Sequence, residues 1–131
     1  MQPTTDHPYS LAKRAGDFIF VSGALSVDRD FQPVGGRKEA LAAALERLAE
    51  RLASAGGELK HLVKLTYYVT DVTLREEANE QFSEYFAEAR PARTFLEVSK
   101  LPYGASVEID AIAHVSERCD EEHCCSNDER K

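Results

Sequence analysis

The fold is decided by residues 37–70, in which RKEALAAALERLAERLASA (37–55) is followed, after a pair of glycines, by LVKLTYYVT (62–70). In the first stretch apolar residues recur at helical spacing and predict one buried stripe, made of Leu41, Leu45, Leu48 and Leu52. The intervening charged residues, such as Arg47 and Arg51, are expected to face water. In the second stretch the period is 2, which predicts a strand whose buried face is formed by Val63, Leu65, Tyr67 and Val69.

The rest of the chain extends this pattern of helices and strands. A second helix is predicted from Thr73 toward Pro91, because residues 73–76 (TLRE) match a capping box and proline ends the apolar stripe. Four more strands are predicted near residues 9–13, at 18–21 in a central position, at 94–98 and at 106–115. The order β-β-α-β-α-β-β predicts an α+β domain with two helices on one face of a single sheet.

The second face of the predicted sheet has no helix to cover it. It combines polar and apolar side chains, among them Thr66, Tyr68, Glu108, Asp110 and Ile112. A mixed face of this kind on a small domain predicts self-association, so we expect a homo-oligomer.

Length and composition indicate one globular domain. The chain has 131 residues, of which 43% are hydrophobic and 30% charged. We assign residues 1–115 to the domain and residues 116–131 to a disordered acidic tail, which contains His123 and the three cysteines Cys119, Cys124 and Cys125. The tail matches no paired cysteine site, so no metal site is predicted. The polar N-terminus has no signal-peptide pattern, and a cytoplasmic location is expected.

Charge and motifs exclude several classes of function. Sixteen basic and 23 acidic residues give a net charge of −7, which disfavours binding to nucleic acid. No phosphate-binding glycine loop and no nucleophile elbow occurs in the sequence. The remaining chemistry is that of an arginine, a carboxylate and a few hydroxyl groups.

Arg93 and Glu108 are the main candidates for a reactive site. Arg93 begins a predicted strand, where its planar fork suits a substrate carboxylate; an ion pair with Glu97 is the structural alternative. Glu108 lies in the middle of a predicted strand and can hold a water or accept a proton. Its alternatives are a salt bridge or an interfacial hydrogen bond, and Asp110 competes for its role.

Two hydroxyl-bearing residues complete the candidate set. Tyr9 and Ser22 lie at the ends of predicted strands, where side chains often meet a pocket. Either residue is equally consistent with a purely structural hydroxyl group.

Together these residues resemble the RidA family of enamine/imine deaminases, also called YjgF, Rid or L-PSP. The resemblance covers residues 9–115 and is carried by GDFIFVSG (16–23), AGG (55–57), VKLTYYVTD (63–71), NEQF (79–82), PAR (91–93) and VEIDAIA (107–113). It implies a chorismate-mutase-like sandwich with a six-stranded mixed sheet and two helices. It also implies a homotrimer with active sites between subunits.

The resemblance further implies hydrolysis of 2-imino acids, such as 2-iminopropanoate (from 2-aminoacrylate) and 2-iminobutanoate, to 2-keto acids and ammonia. No cofactor or metal would be needed. Arg93 matches the family's carboxylate-binding arginine, and Glu108 matches the glutamate associated with the attacking water. Residues of the family's cleft correspond to Tyr9 and to the strand-end segment Ser22-Gly23 in this chain. Asn79 matches a structural or cleft-adjacent asparagine of the family.

Two positions depart from the family pattern and keep other functions open. Ala24 occupies a position where the family often has Gln or Thr. Phe95 occupies a position where the best-known members have Cys, so Phe95 is expected to line the substrate pocket and change its shape. The last strand, which ends in His114, also resembles a RutC-type branch acting on 3-aminoacrylate; another branch deaminates 2-aminomuconate. A non-catalytic trimer that binds small carboxylates is a further alternative. The negative charge disfavours the ribonuclease or translation-inhibitor role attached to older family names.

Overall fold

A computed structural model describes residues 7–116 of the chain. It contains β1 (Ala12–Ala15), β2 (Phe18–Leu25), α1 (Arg37–Ser54), β3 (Leu62–Val69), α2 (Arg75–Tyr85), β4 (Ala92–Glu97) and β5 (Val107–His114). The predicted order of elements and the α+β class are confirmed. The first strand lies at Ala12–Ala15 rather than near residues 9–13. The predicted disordered tail falls almost entirely outside the described residues.

The strands form one mixed sheet in the order β1-β2-β5-β3-β4. Only the β3–β4 pair is parallel; the other neighbours are antiparallel. Within residues 7–116 the sheet has five strands and not the six implied by the resemblance. Val27 and Pro33 form an isolated bridge, because the chain between them turns tightly around the Asp28 carboxylate, which accepts the backbone N–H groups of Asp30 and Gln32.

The core lies between the two helices and one face of the sheet. All four leucines of the predicted α1 stripe are buried, as are the alternating residues Val107, Ile109, Ala111 and Ala113 of β5. Gly36 precedes α1 with φ of 89°, in the left-handed region that favours glycine. No helix among these residues is long and apolar enough to cross a membrane.

Two local predictions are wrong. Val63 is 44% exposed because a bulge between Leu62 and Lys64 shifts the register of β3, and Leu62 is buried in its place. The predicted capping box does not start α2. Instead the Asp71 carboxylate accepts from the backbone N–H and hydroxyl of Thr73, which sets a short 3-10 turn before α2 begins at Arg75.

The second face of the sheet is left uncovered by the helices, as predicted. Phe18 and Phe20 of β2 are 43% and 46% exposed there. The alternate residues of β5, Glu108, Asp110 and Ile112, are partly exposed on the same face. This uncovered face therefore presents both aromatic side chains and carboxylates.

Candidate functional site

Arg93 lies on β4, one of the two edge strands of the described sheet, and its side chain points to the helix side of the sheet. It is paired in register with the buried Leu65 of β3, and side chains at paired positions share a face. Its guanidinium carbon is 5.0 Å from the ring centroid of Phe82, 5.1 Å from that of Phe95 and 5.4 Å from that of Tyr67. Three aromatic rings thus surround this cation at cation–π distance.

The hydrogen bonds of Arg93 leave its charge without a carboxylate partner. Nη2 donates to Oδ1 of Asn79 at 2.7 Å, and the buried Nη1 has no acceptor within the described part of the chain. The ion pair with Glu97 that was the structural alternative is not formed, because Glu97 accepts the backbone N–H of Val72 at 2.8 Å. Burial lowers the pKa of Arg93 below its ordinary value, although an arginine remains charged at neutral pH.

Glu108 occupies the uncovered face of β5, directly above a bulge in β2. The bulge lies between Val21 and Ala24, and Glu108 packs against the backbone of Gly23 inside it. A Cβ atom on Gly23 would lie 2.7 Å from Cδ of Glu108, so any residue larger than glycine at this position would collide with the Glu108 side chain. Burial raises the pKa of Glu108, the neighbouring Asp110 raises it further, and Arg51 opposes the rise.

A cavity of about 260 Å³ opens beside Glu108. The structure brings two of the predicted residues, Tyr9 and Gly23, to its wall together with Glu108. Two arginines of α1, Arg47 and Arg51, also line it. The prediction that these arginines face water is wrong, since Arg47 donates to the carbonyl of Val27 and Arg51 to that of Gly23.

The other predicted residues lie in different surroundings. The hydroxyl of Ser22 donates to the carbonyl of Ser10 at 2.7 Å, which fastens the segment before β1. Asp110 accepts the hydroxyl of Tyr68 at 2.9 Å on the uncovered face. Phe95 lies beside Arg93. The described part of the chain has no cluster of three or more His, Cys, Asp or Glu residues that could hold a metal ion.

Arg93 and Glu108 cannot face the same small molecule within one chain. Arg93 of β4 is paired in register with Leu65 of β3, and Leu65 is paired with Ala111 of β5. Ala111 is three residues from Glu108 along β5. Two strand spacings and three residues separate their Cα atoms by roughly 14 Å. Their side chains also project from opposite faces of the sheet. One chain therefore carries two separate half-sites, one around Arg93 and the other around Glu108.

Sequence reasoning missed the aromatic surroundings of Arg93 and the contribution of Arg51. Tyr67 and Phe82 have the spacing of ordinary core residues. The register of β3 with β4 brings Tyr67 to Arg93, and the packing of α2 on the sheet brings Phe82. For Arg51 a signal was present: it lies three residues after Leu48, at the margin of the apolar stripe of α1.

Comparisons with known proteins agree with this architecture. Residues 1–115 match the family model described as Endoribonuclease L-PSP. A RutC family protein of Pyrococcus abyssi is 39% identical over 82% of this chain and 86% of its own length. The 2-iminobutanoate/2-iminopropanoate deaminase of Mus musculus is 35% identical over 85% of this chain and 84% of its own.

Solved structures give the same result. A putative endoribonuclease from Thermotoga maritima has a TM-score of 0.79 and 38% identity, with 84% of this chain and 88% of that chain covered. RidA from the Antarctic bacterium Psychrobacter sp. PAMC 21119 has a TM-score of 0.77 and 31% identity, with 83% and 89% covered.

Proposed function

The chain belongs to the RidA (endoribonuclease L-PSP) family, and from this premise we propose that it is an enamine/imine deaminase. Its substrates would be 2-imino acids such as 2-iminopropanoate and 2-iminobutanoate, which it hydrolyses to 2-keto acids and ammonia. The mouse relative carries the name of this activity.

One observation carries the proposal: the guanidinium of Arg93 is half-buried and has no carboxylate partner in residues 7–116. A cation withdrawn from water without an opposite charge costs free energy, and a carboxylate ligand would recover it. The planar guanidinium also binds a carboxylate through two parallel hydrogen bonds. The α-carboxylate of a 2-imino acid has the required charge and shape.

In the proposed reaction, Arg93 holds the substrate carboxylate and Glu108 of a neighbouring copy holds a water against C2 of the imine. The substrate reacts as its iminium form: Glu108 takes a proton from the water as the C–O bond forms and the C=N electron pair moves to nitrogen, which gives a neutral carbinolamine. Glu108 then gives this proton to the amino nitrogen, the C–N bond breaks and ammonia leaves, while the carbinolamine hydroxyl passes its proton to Glu108 and becomes the keto oxygen. The protein contributes mainly by placing a reactive electrophile next to a water.

Two copies must meet to complete this site, because Arg93 and Glu108 lie on opposite faces of one sheet. A contact between the Arg93 side of one copy and the Glu108 side of the next is heterologous, and heterologous contacts form a ring when the rotation between copies closes. We propose the homotrimer implied by the family resemblance, with the uncovered face inside the assembly.

The first experiment measures imine hydrolysis directly. An amino-acid oxidase generates the imine, semicarbazide traps what survives, and the purified protein competes with the trap. We expect wild type to suppress semicarbazone formation, Arg93→Ala to abolish this effect, and Glu108→Gln to lower kcat. Arg29→Ala is the matched control, because Arg29 is exposed and, within residues 7–116, forms an ion pair with Glu50 at 3.9 Å, away from Arg93 and Glu108. Full activity of folded Arg93→Ala would remove the carboxylate-binding role.

A mixing experiment tests whether two copies share each site. Arg93→Ala and Glu108→Gln are unfolded together in equal amounts and refolded. Random assembly then leaves about a quarter of the sites with both native residues, so about a quarter of wild-type activity returns. If the refolded mixture is no more active than the average of its two separately refolded parents while refolded wild type recovers, the shared site is wrong.

The same assay ranks the other candidate functions. The RutC name of the Pyrococcus relative favours testing 3-aminoacrylate, and 2-aminomuconate is tested in parallel. Binding of a small carboxylate that depends on Arg93, without turnover of any of these compounds, would indicate the non-catalytic trimer.

A further inference from the structure

We propose that Arg51 is a positioning residue of this site, which braces the β2 bulge beneath Glu108 and holds its positive charge behind the Glu108 side chain. The inference rests on the proposed function, in which ionised Glu108 accepts a proton from the attacking water. It adds to that function a residue of α1 that does not contact the reacting atoms.

The contacts of Arg51 place it directly behind Glu108. Its Nη1 donates to the carbonyl of Gly23 at 2.8 Å and to that of Ser22 at 3.3 Å. The same Gly23 is the residue against which the Glu108 side chain packs. Only one residue of backbone therefore separates the guanidinium from the carboxyl group. A bulge is a local departure from strand geometry, and Arg51 ties this one to a helix that is part of the core.

The hydrogen bonds of Arg51 do not neutralise it. Both acceptors are uncharged carbonyl groups, and its buried Nε has no acceptor within residues 7–116. Its positive charge is therefore available to act on Glu108 across the Gly23 backbone. Burial lowers the pKa of Arg51 and the charge of Glu108 raises it, which is the reciprocal of the effect on Glu108.

Other charged groups near Glu108 do not replace this effect. Asp110 on the same strand raises the pKa of Glu108, as burial does, and Arg51 is the cation that opposes them. The remaining titratable or charged residues around Glu108 come from the N-terminal segment, α1, β3 and the loop before β5, namely His7, Tyr9, Arg47, Tyr68 and Tyr103. Without Arg51, Glu108 would take up its proton at a higher pH, and a smaller fraction of it would be ionised to act as a base under acidic conditions.

Two substitutions separate the charge of Arg51 from its hydrogen bonds. Arg51→Gln keeps an N–H donor but removes the charge, whereas Arg51→Lys keeps both a donor and the charge. Arg47→Gln is the matched control, because Arg47 lies one turn earlier, lines the same cavity and also donates to backbone carbonyls.

The first readout is independent of activity. The pKa of Glu108 is measured in the full-length protein by ¹³C NMR of labelled glutamate carboxyl groups, with the Glu108 signal assigned from Glu108→Gln. We expect Arg51→Gln to raise this pKa, and Arg51→Lys and Arg47→Gln to leave it near the wild-type value. An unchanged pKa in folded Arg51→Gln overturns the proposal, and so does an equal shift in Arg47→Gln.

The second readout is the pH dependence of imine hydrolysis. Relative to wild type, Arg51→Gln is expected to lose about fivefold more activity at pH 6 than at pH 8.5, and Arg51→Lys to restore the wild-type profile. If wild type hydrolyses no imine, the proposed function fails, while the NMR titration still decides whether Arg51 controls Glu108. An equal loss at both pH values would overturn the electrostatic role of Arg51.

Discussion

Replacing Gly23 with alanine is expected to displace the Glu108 carboxylate without disturbing the fold. The new Cβ would lie 2.7 Å from Cδ and 3.0 Å from Cγ of Glu108, whereas ordinary contacts of a Cβ begin at 3.4 Å. The carboxyl carbon must therefore retreat by about 0.7 Å, or the side chain must rotate away. Gly23 is not among the positive-φ glycines, so alanine is compatible with the backbone here.

The size of this displacement sets the expected loss of activity. A misplacement of about 1 Å at a reacting group can cost on the order of 100-fold in rate. This corresponds to about 2.7 kcal/mol in the activation free energy. The loss should appear in kcat and not in KM, because Arg93 and its surroundings are untouched. The free energy of unfolding should change by less than about 1 kcal/mol, since a flexible side chain gives way.

The assay is semicarbazone competition, with Gly35→Ala as the control variant. A Cβ on Gly35 would meet nothing within 4 Å, and Gly35 is likewise absent from the positive-φ glycines. Both variants should unfold at similar urea concentrations, and only Gly23→Ala should lose activity. If Gly23→Ala keeps kcat within about twofold of wild type while Glu108→Gln is inactive, Glu108 does not act from its position over Gly23.

Two further predictions concern stability and assembly. Tyr67→Phe removes the hydroxyl that donates to the buried Oε1 of Gln81, and should lower the free energy of unfolding in urea by about 1–3 kcal/mol. The control Tyr85→Phe, at an exposed position, should change the free energy of unfolding by less than about 0.5 kcal/mol. Equal effects would contradict the buried hydrogen bond. Phe20→Asp puts a charge on the uncovered face and should reduce the proposed trimer to smaller species in light scattering. Val72→Asp, exposed on the turn before α2, should not. Wild type and Phe20→Asp of the same oligomeric size would place the proposed interface elsewhere.

The architecture could be predicted because long periodic segments carry it. The four leucines of α1 lie on one face of the helix, and the alternating apolar residues of β5 lie on one face of the strand. Each face was therefore predicted to be buried, and the structure buries these residues. Local irregularities escape such reasoning. The bulge at Val63 adds one residue to an otherwise alternating strand, and nothing in the composition of LVK marks where alternation begins.

The start of α2 shows a competition between two capping groups. Thr73 and Glu76 have the spacing of a capping box, yet Asp71 lies two residues earlier and accepts both the N–H and the hydroxyl of Thr73. Thr73 also accepts a hydrogen bond from Arg37, which is distant in sequence. The choice between the two caps thus depends on a tertiary contact that a local pattern does not contain.

The candidate site was only partly predictable for the same reason. Residue type alone could not select Arg93 and Glu108, because the domain contains several other arginines and glutamates. Their positions on predicted strands and the family resemblance made them the candidates. Their surroundings depend on tertiary structure: Tyr67 comes to Arg93 through the pairing of β3 with β4, and Ala24 points into the core because it follows the β2 bulge. Ala24 consequently lies outside the cavity that Gly23 lines.

The position of Glu108 connects the proposed chemistry to the proposed assembly. It shares the uncovered face with Phe18 and Phe20, whose exposed rings favour contact with a second copy. Covering that face would remove further water from Glu108 and add to the burial that already raises its pKa. The cost of keeping Glu108 ionised therefore increases on assembly. In the proposed assembly two cations would oppose it, Arg51 from within the same chain and Arg93 from the neighbouring copy. In this scheme assembly completes the site and also makes Arg51 more important than it is in the single chain.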